Sequence, residues 1–288
     1  MSSVSEQLRR DFKASDDIRD AGLTTPEDVV RCDDIPYGVD SPLQALDLYR
    51  PRAAGDAVLP VIVSIHGGGW VYGDKERYQF YCMSLAQRGF AVVNFSYRLA
   101  PEYKYPSSME DTNAVFHWVA DHAGEYRLDA NHVFAVGDSA GAHMLAVYSC
   151  ICTNPDYAAR YAFAPPKGFA PTAVALNCGA YVMDVSRDAL LKELLPGGGT
   201  EEEIDLISPL KHITPAFPPT FLMTSNEDFL KPQAPVMAAA LAGVDVPFLY
   251  RYYGGSDVRL PHVFHCDMRS EQGRLCNDEE CDFFRRFL

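Results

Sequence analysis

Among the residues able to do chemistry, Ser139 stands in the most informative surroundings. The apolar run Val133 to Val136 stops at Gly137-Asp138-Ser139-Ala140-Gly141 and resumes as Ala142, Met144, Leu145, Ala146 and Val147. This is the pattern of a buried strand turning sharply into a buried helix, with the serine at the corner. Gly137, Ala140 and Gly141 lack bulk, so two backbone segments can pass close together around a strained turn. Such a turn pushes the Ser139 hydroxyl outward and sets the Ala140 amide at a helix N-terminus, where developing negative charge is stabilised. The chemistry implied is nucleophilic attack.

A second pattern points to the same place. His66-Gly67-Gly68-Gly69-Trp70 follows the apolar run Val61 to Ile65. Three glycines after a strand allow consecutive amides to aim into one cavity, which builds an oxyanion hole without side chains. A phosphate loop is excluded, because no Lys-Ser/Thr follows and no G-x-G-x-x-G opens a helix. In α/β sheets the crevice lies beyond the carboxyl ends of the strands, so this loop and the Ser139 corner share one edge. His66 reads as a hydrogen-bonding residue that holds the loop.

A serine hydroxyl attacks well only when a neutral imidazole takes its proton and an acceptor fixes that imidazole. The chain has eight histidines. His117, His122 and His132 lie in or near the helix before the elbow, His143 is inside the elbow helix, and His212 sits in an irregular segment; structural roles suit these. His262 and His265 remain, in Leu260-Pro261-His262-Val263-Phe264-His265, after a late strand. Their spacing lacks the neighbouring ligands of a metal pair, so neither a metal nor a cofactor is expected. Asn226-Glu227-Asp228 ends the Thr220 to Thr224 run and offers two candidate acids.

These residues must be positioned by alternating strands and helices. Strands are expected at Asp33 to Tyr37, Ala45 to Arg50, Val61 to Ile65, Ala91 to Phe95, before Ser139, Thr172 to Leu176, Thr220 to Thr224 and Val246 to Tyr252. A turn over Gly38 to Pro42 joins the first two. Helices are expected at Tyr78 to Arg88, Ser107 to Ala123, after Ser139, Gln233 to Ala242 and Asp278 to Phe287, with a further helix start at Thr25-Pro26-Glu27-Asp28. This order implies an α/β fold with a doubly wound, mostly parallel sheet. Residues 1–288 read as a single domain. The N-terminal arm 1–30 and the insertion 179–215, with its Pro196-Gly197-Gly198-Gly199 joint, are expected to form a small cap.

Composition narrows the partners. With 25 basic and 39 acidic residues the net charge is −14, which disfavours nucleic acid and anionic membrane surfaces and suits a small-molecule substrate. No apolar leader or membrane-length apolar stretch is present, and eight scattered cysteines in a chain of this size read as reduced thiols. A cytoplasmic protein is expected, and a homo-oligomer is compatible with the sequence.

The glycine loop, followed by Ser96-Tyr97-Arg98-Leu99-Ala100-Pro101-Glu102, Tyr105-Pro106, Asp111 and Trp118 and then by Gly137-Asp138-Ser139-Ala140-Gly141, resembles the α/β-hydrolase fold carboxylesterases of the hormone-sensitive-lipase-like group. The resemblance implies Ser139 as nucleophile, an oxyanion hole of the Gly67, Gly68 and Ala140 amides, and an Asp then a His in loops after late strands. The group's His-x-Phe pattern falls on His262 rather than His265, and its acid on Asp228 with Glu227 the other candidate. Asp138, Asp111 and Glu102 take structural roles. The expected reaction is hydrolysis of short-chain acyl esters through an acyl-enzyme, with Trp70, Tyr72, Tyr181 and Met183 lining the pocket. Two alternatives stay open here: an arylformamidase-like amide hydrolase, and a non-catalytic hydrolase-like receptor or scaffold.

Overall fold

A computed structural model describes residues 3–39 and 43–288. Helix α1 (Val4–Asp20) begins with a reciprocal cap, in which the Ser3 hydroxyl accepts from the Glu6 amide and the Glu6 carboxylate accepts from the Ser3 amide. The helix start expected at Thr25 to Asp28 does not form. The Pro26 carbonyl instead accepts from the Val29 amide at 3.2 Å, and β1 (Val29–Pro36) begins there, Val29 and Val30 facing Pro51 and Arg50 of the next strand. Two β-branched residues with a partner strand outweigh a local capping pattern.

The remaining elements are β2 (Ala45–Pro51), β3 (Leu59–Ile65), α2 (Lys75–Gln87), β4 (Ala91–Phe95), α3 (Ser107–Tyr126), β5 (Leu128–Asp138), α4 (Ala140–Thr153), α5 (Pro155–Ala158), β6 (Val174–Asn177), α6 (Leu190–Leu194), α7 (Glu201–Leu206), β7 (Thr220–Ser225), α8 (Ala234–Gly243), β8 (Phe248–Tyr253) and α9 (Glu271–Arg285). The last helix starts seven residues before the expected Asp278, because Ser270 caps it through the Gly273 amide at 3.1 Å. Of the expected Gly38 to Pro42 turn, positions 40 to 42 lie outside the described residues.

The strands form one eight-stranded sheet in the order β1-β2-β4-β3-β5-β6-β7-β8. β1 with β2 and β2 with β4 are antiparallel, and the pairs from β4 through β8 are parallel. Both faces of the central strands are covered, as their near-continuous apolar character requires. Val61, Val63 and Ile65 of β3 pack with Met109 of α3, Leu145 of α4 and Met237 of α8. Ile62 points the other way, into a second core with Tyr81 and Met83 of α2 and Phe283 and Phe284 of α9.

Two ties named in the sequence hold loops. Asp111 accepts from the Arg98 amide at 2.8 Å and from its guanidinium. Glu102 accepts from Arg9 at 2.6 Å, fastening α1 to the segment after β4. The 179–215 insertion is partly helical, carrying α6 and α7. Its glycine run is not a bare joint: the Glu203 carboxylate accepts from the Gly197 and Gly199 amides at 2.6 and 2.9 Å.

Candidate active site

Parallel strands β3, β5, β6, β7 and β8 end on the same edge of the sheet, and each delivers one part of the site there. At the end of β5, Ser139 adopts φ 52° and ψ −117° before α4 begins, a backbone region disfavoured for a residue with a side chain. The neighbouring strand holds it: the Ser139 amide donates to the Asn177 carbonyl at 2.9 Å. The flanking glycines are required by close approach. A Cβ on Gly141 would sit 2.0 Å from the Ile65 carbonyl oxygen, and one on Gly137 would sit 2.5 Å from the Gly141 oxygen.

His262 lies in the loop after β8, and its Nδ1 is 2.6 Å from Asp228 Oδ1. Asp228 is buried at the end of β7 and also accepts from the Thr224 hydroxyl at 2.7 Å and the Leu230 amide at 2.8 Å. An ionised carboxylate only accepts, so the ring hydrogen belongs on Nδ1 and Nε2 keeps its lone pair. Burial works against the Asp228 charge. The hydrogen bond and electrostatic attraction from His262, with the bonds from Thr224 and Leu230, outweigh it and hold the carboxyl below its usual range.

The competing candidates are placed elsewhere. His265 is fully buried against Tyr81, and burial pushes its pKa down to about 3, so it stays neutral. Glu227 faces solvent and pairs with Arg259 at 3.3 Å. His66 stacks on Tyr97 and sits 2.7 Å from the Gly67 oxygen, holding the loop as expected. His143 accepts from the Trp70 indole at 3.1 Å and donates to the Ile207 carbonyl at 2.7 Å. Burial pushes His66 and His143 each down to about 4.

The glycine loop departs from expectation at one position. The Gly67 amide donates to the Tyr78 hydroxyl at 3.0 Å, and that hydroxyl donates to Asp138 Oδ2 at 2.7 Å. Gly67 is therefore already committed. Among the described residues, the Gly68, Gly69 and Ala140 amides have no acceptor, and the three residues line the two cavities that share Ser139. The reason is the turn itself: Gly68 (φ 115°) and Gly69 (φ 60°) have positive φ, with Gly68 folded back over Tyr72 and Gly69 beside Leu8 and Leu190, whereas Gly67 is held against Asp138 and Tyr78. Asp138, beneath the loop, is pushed up to about 6 by burial, partly offset by the Tyr78 hydrogen bond.

Two cavities meet at Ser139. One of about 620 Å³ is walled mainly by apolar side chains, among them Leu8, Trp70, Met183, Leu190 and Val236. The other, about 200 Å³, holds His262 with Phe12, Asp16, Arg19 and Tyr72. Trp70 and Met183 thus line the first and Tyr72 the second. Tyr181 lines neither: it is fully buried in the core. Gln233 accepts from the Tyr181 and Val182 amides at 2.5 and 2.7 Å, which turns Val182 and Met183 to the cavity and Tyr181 behind it. The sequence points to the N-terminal arm as part of a cap, but none of its residues was named as lining the cavities. Leu8, Phe12, Ser15 and Arg19 recur at helical spacing in the sequence, and that stripe was its signal.

Cys178, Asp228 and His262 place ligand-type atoms within 4.8 Å of one another. Two of the three are already joined by the 2.6 Å hydrogen bond, in which a ring proton occupies the bridging position.

Residues 62–266 match a family model described as alpha/beta hydrolase fold. The chain is 29% identical over 230 residues to the esterase LipI of Mycobacterium tuberculosis, covering 73% of this chain and 68% of that one. It is 32% identical over 218 residues to the carboxylesterase NlhH of the same organism, covering 69% and 66%. The crystal structure of esterase B from Lactobacillus rhamnosis superposes with a TM-score of 0.88 at 27% identity, over 98% of this chain and 93% of that one. The family match over most of the chain and the shared sheet with its elbow lead to one conclusion: the chain belongs to the alpha/beta hydrolase fold family.

Proposed function

We propose that Ser139, His262 and Asp228 form the catalytic triad of this protein, with Gly68, Gly69 and Ala140 supplying the oxyanion donors. The protein is a carboxylic ester hydrolase. The observation that carries the residue assignment is the 2.6 Å contact between His262 Nδ1 and a buried Asp228, at a cavity whose wall also contains Ser139. His262 Nε2 removes the Ser139 proton as the hydroxyl attacks the ester carbonyl, and the free amides hold the resulting oxyanion. The imidazolium then protonates the leaving alcohol. Water, deprotonated by the same ring, releases the acid from the acyl-enzyme.

Side chains and backbone amides supply every step, so no cofactor is needed. Short-chain acyl esters are the proposed substrates, with α1 and residues 179–215 acting as a small cap that bounds the larger cavity. An arylformamidase activity is not favoured, since the relatives named above are esterases. Among the described residues no helix is long and apolar enough to cross a membrane. We place the enzyme in the cytoplasm because its eight cysteines are all free.

The test is covalent. An alkyl phosphonate is expected to label Ser139 stoichiometrically and abolish hydrolysis of 4-nitrophenyl butyrate, while Ser139→Ala takes no label. Ordinary turnover by Ser139→Ala would overturn the assignment. Acetyl, butyryl and octanoyl esters of one alcohol then rank the acyl chain.

A further inference from the structure

We infer that the smaller cavity is the leaving-group site, and that α1 makes it selective for small neutral alcohols carrying extra hydroxyl groups. The inference rests on the roles of Ser139 and His262 proposed above. The general acid must reach the oxygen of the departing alcohol, and His262 lines the 200 Å³ cavity but not the 620 Å³ one. The alcohol therefore leaves into the small cavity, and the larger apolar cavity takes the acyl chain. At roughly 30 Å³ per water-sized group, the small cavity holds a group of about six non-hydrogen atoms.

Its wall has unused hydrogen-bonding capacity of both signs, contributed by one helix. Arg19 directs Nε and Nη2 to Asp20 at 2.8 and 2.7 Å, and Nη2 also to the Arg77 carbonyl at 2.6 Å. Its Nη1 is 2.9 Å from Asp16 Oδ1, which leaves one Nη1 hydrogen for a ligand. Asp16 also accepts from the Tyr72 hydroxyl at 2.9 Å, and each of its oxygens retains a lone pair. Ser15, at the exposed mouth of the cavity, has a hydroxyl with no partner among the described residues.

A donor from Arg19 next to an acceptor on Asp16 matches a hydroxyl, which accepts from one and donates to the other. Ser15 can serve a second hydroxyl further out. Charged alcohols fit poorly: Asp16 and Asp138 repel a carboxylate, and Arg19 repels an ammonium. An alkyl alcohol fits by size but leaves the Arg19 hydrogen and the Asp16 lone pairs stripped of water and unmatched, the condition that gives hydrogen-bonding sites their discrimination.

The experiment compares 2,3-dihydroxypropyl butyrate with pentyl butyrate, which share an acyl group and nearly match in size. The readout is kcat/KM, which ends at acyl-enzyme formation and so reports the alcohol even when acyl-enzyme hydrolysis limits kcat. Each value is divided by the ester's alkaline hydrolysis rate to remove intrinsic reactivity. The wild-type enzyme is expected to favour the dihydroxypropyl ester about tenfold or more, and the double variant Ser15→Ala, Asp16→Asn to lose most of that ratio. A wild-type ratio at or below one, or a ratio unchanged in the variant, overturns the inference. Phosphonate labelling of Ser139 in the same preparations separates the two readings. A labelled enzyme without the preference removes this inference alone, whereas an unlabelled one removes the triad and this inference with it.

Discussion

The Gly67 amide and the Tyr78 hydroxyl are joined at 3.0 Å, and Tyr78 passes the bond on to buried Asp138. In the oxyanion hole proposed above, Gly67 is thus a strut of the loop rather than a donor. Tyr78→Phe strips both partners of their bond. We expect a stability loss of about 1–3 kcal/mol, the cost of leaving buried polar groups unpaired, with kcat/KM reduced less than tenfold. Chemical denaturation and ester kinetics on the same variant check this. A loss of 100-fold or more in kcat, on the scale of removing one oxyanion donor, would put Gly67 back among the donors.

Asp228 orients His262, so Asp228→Asn is expected to lower kcat by about 10⁴, the scale seen when a triad acid is replaced by its amide. Glu227→Gln and His265→Gln leave the His262 contact in place, and both are expected to keep kcat within about tenfold of wild type. Steady-state kinetics of the three variants decide the matter. A collapse in Glu227→Gln with Asp228→Asn active would reverse the assignment.

Glu280 of α9 is fully buried behind the elbow, accepting from the Tyr81 hydroxyl at 2.9 Å and from the Asn177 side-chain Nδ2 at 2.6 Å. Burial pushes its pKa up to about 7, against the partial relief of those two bonds. A glutamate in the unfolded chain titrates near 4.3, so between the two values the folded state holds a proton that the unfolded state has released. The contribution of Glu280 to stability therefore falls as pH rises from about 4.3 through about 7, then levels off. Urea midpoints measured from pH 5 to 8 should flatten in Glu280→Gln. An identical slope in the variant would mean that another group sets it.

Gly141→Ala would drive a methyl group into the Ile65 carbonyl at the start of α4. A destabilisation of about 3 kcal/mol is expected from this overpacking, read as a lowered urea midpoint. Because the clash is with backbone, a compensating side-chain substitution should not restore it. Wild-type stability in Gly141→Ala would show that α4 can move away from β3, and would weaken the case for a rigid elbow.

The fold and the elbow were legible because their signals are local. A strand, a glycine-flanked serine and a helix are consecutive, and the order of buried runs fixes a parallel sheet. The choice of His262 and Asp228 proposed here rested in the sequence on the resemblance rather than on the residues alone, since His265 and Glu227 are equally polar neighbours and only the folded chain shows which pair is in contact. What was missed depends on distant partners. Whether Gly67 or Gly69 keeps a free amide is decided by Tyr78, a residue on a helix, and Tyr181 is turned from the cavity by Gln233, 52 residues away. The arm 1–30 was expected to belong to a cap, but which of its residues wall the cavities was not legible, because that is decided by partners far along the chain.

Helix α1 closes both cavities, yet the contacts that fasten it come from far along the chain. Glu193 accepts from the Val4 amide at 3.1 Å, Arg9 reaches the Val71 and Ala100 carbonyls, and Arg269 donates to the carbonyls of Arg19 and Ala21. On a ribosome this helix of 17 residues must wait for nearly the whole polypeptide before its last anchor exists. The hydrolytic centre is consequently finished late in synthesis, and a nascent chain that has not reached Arg269 presents an open groove in place of a walled one.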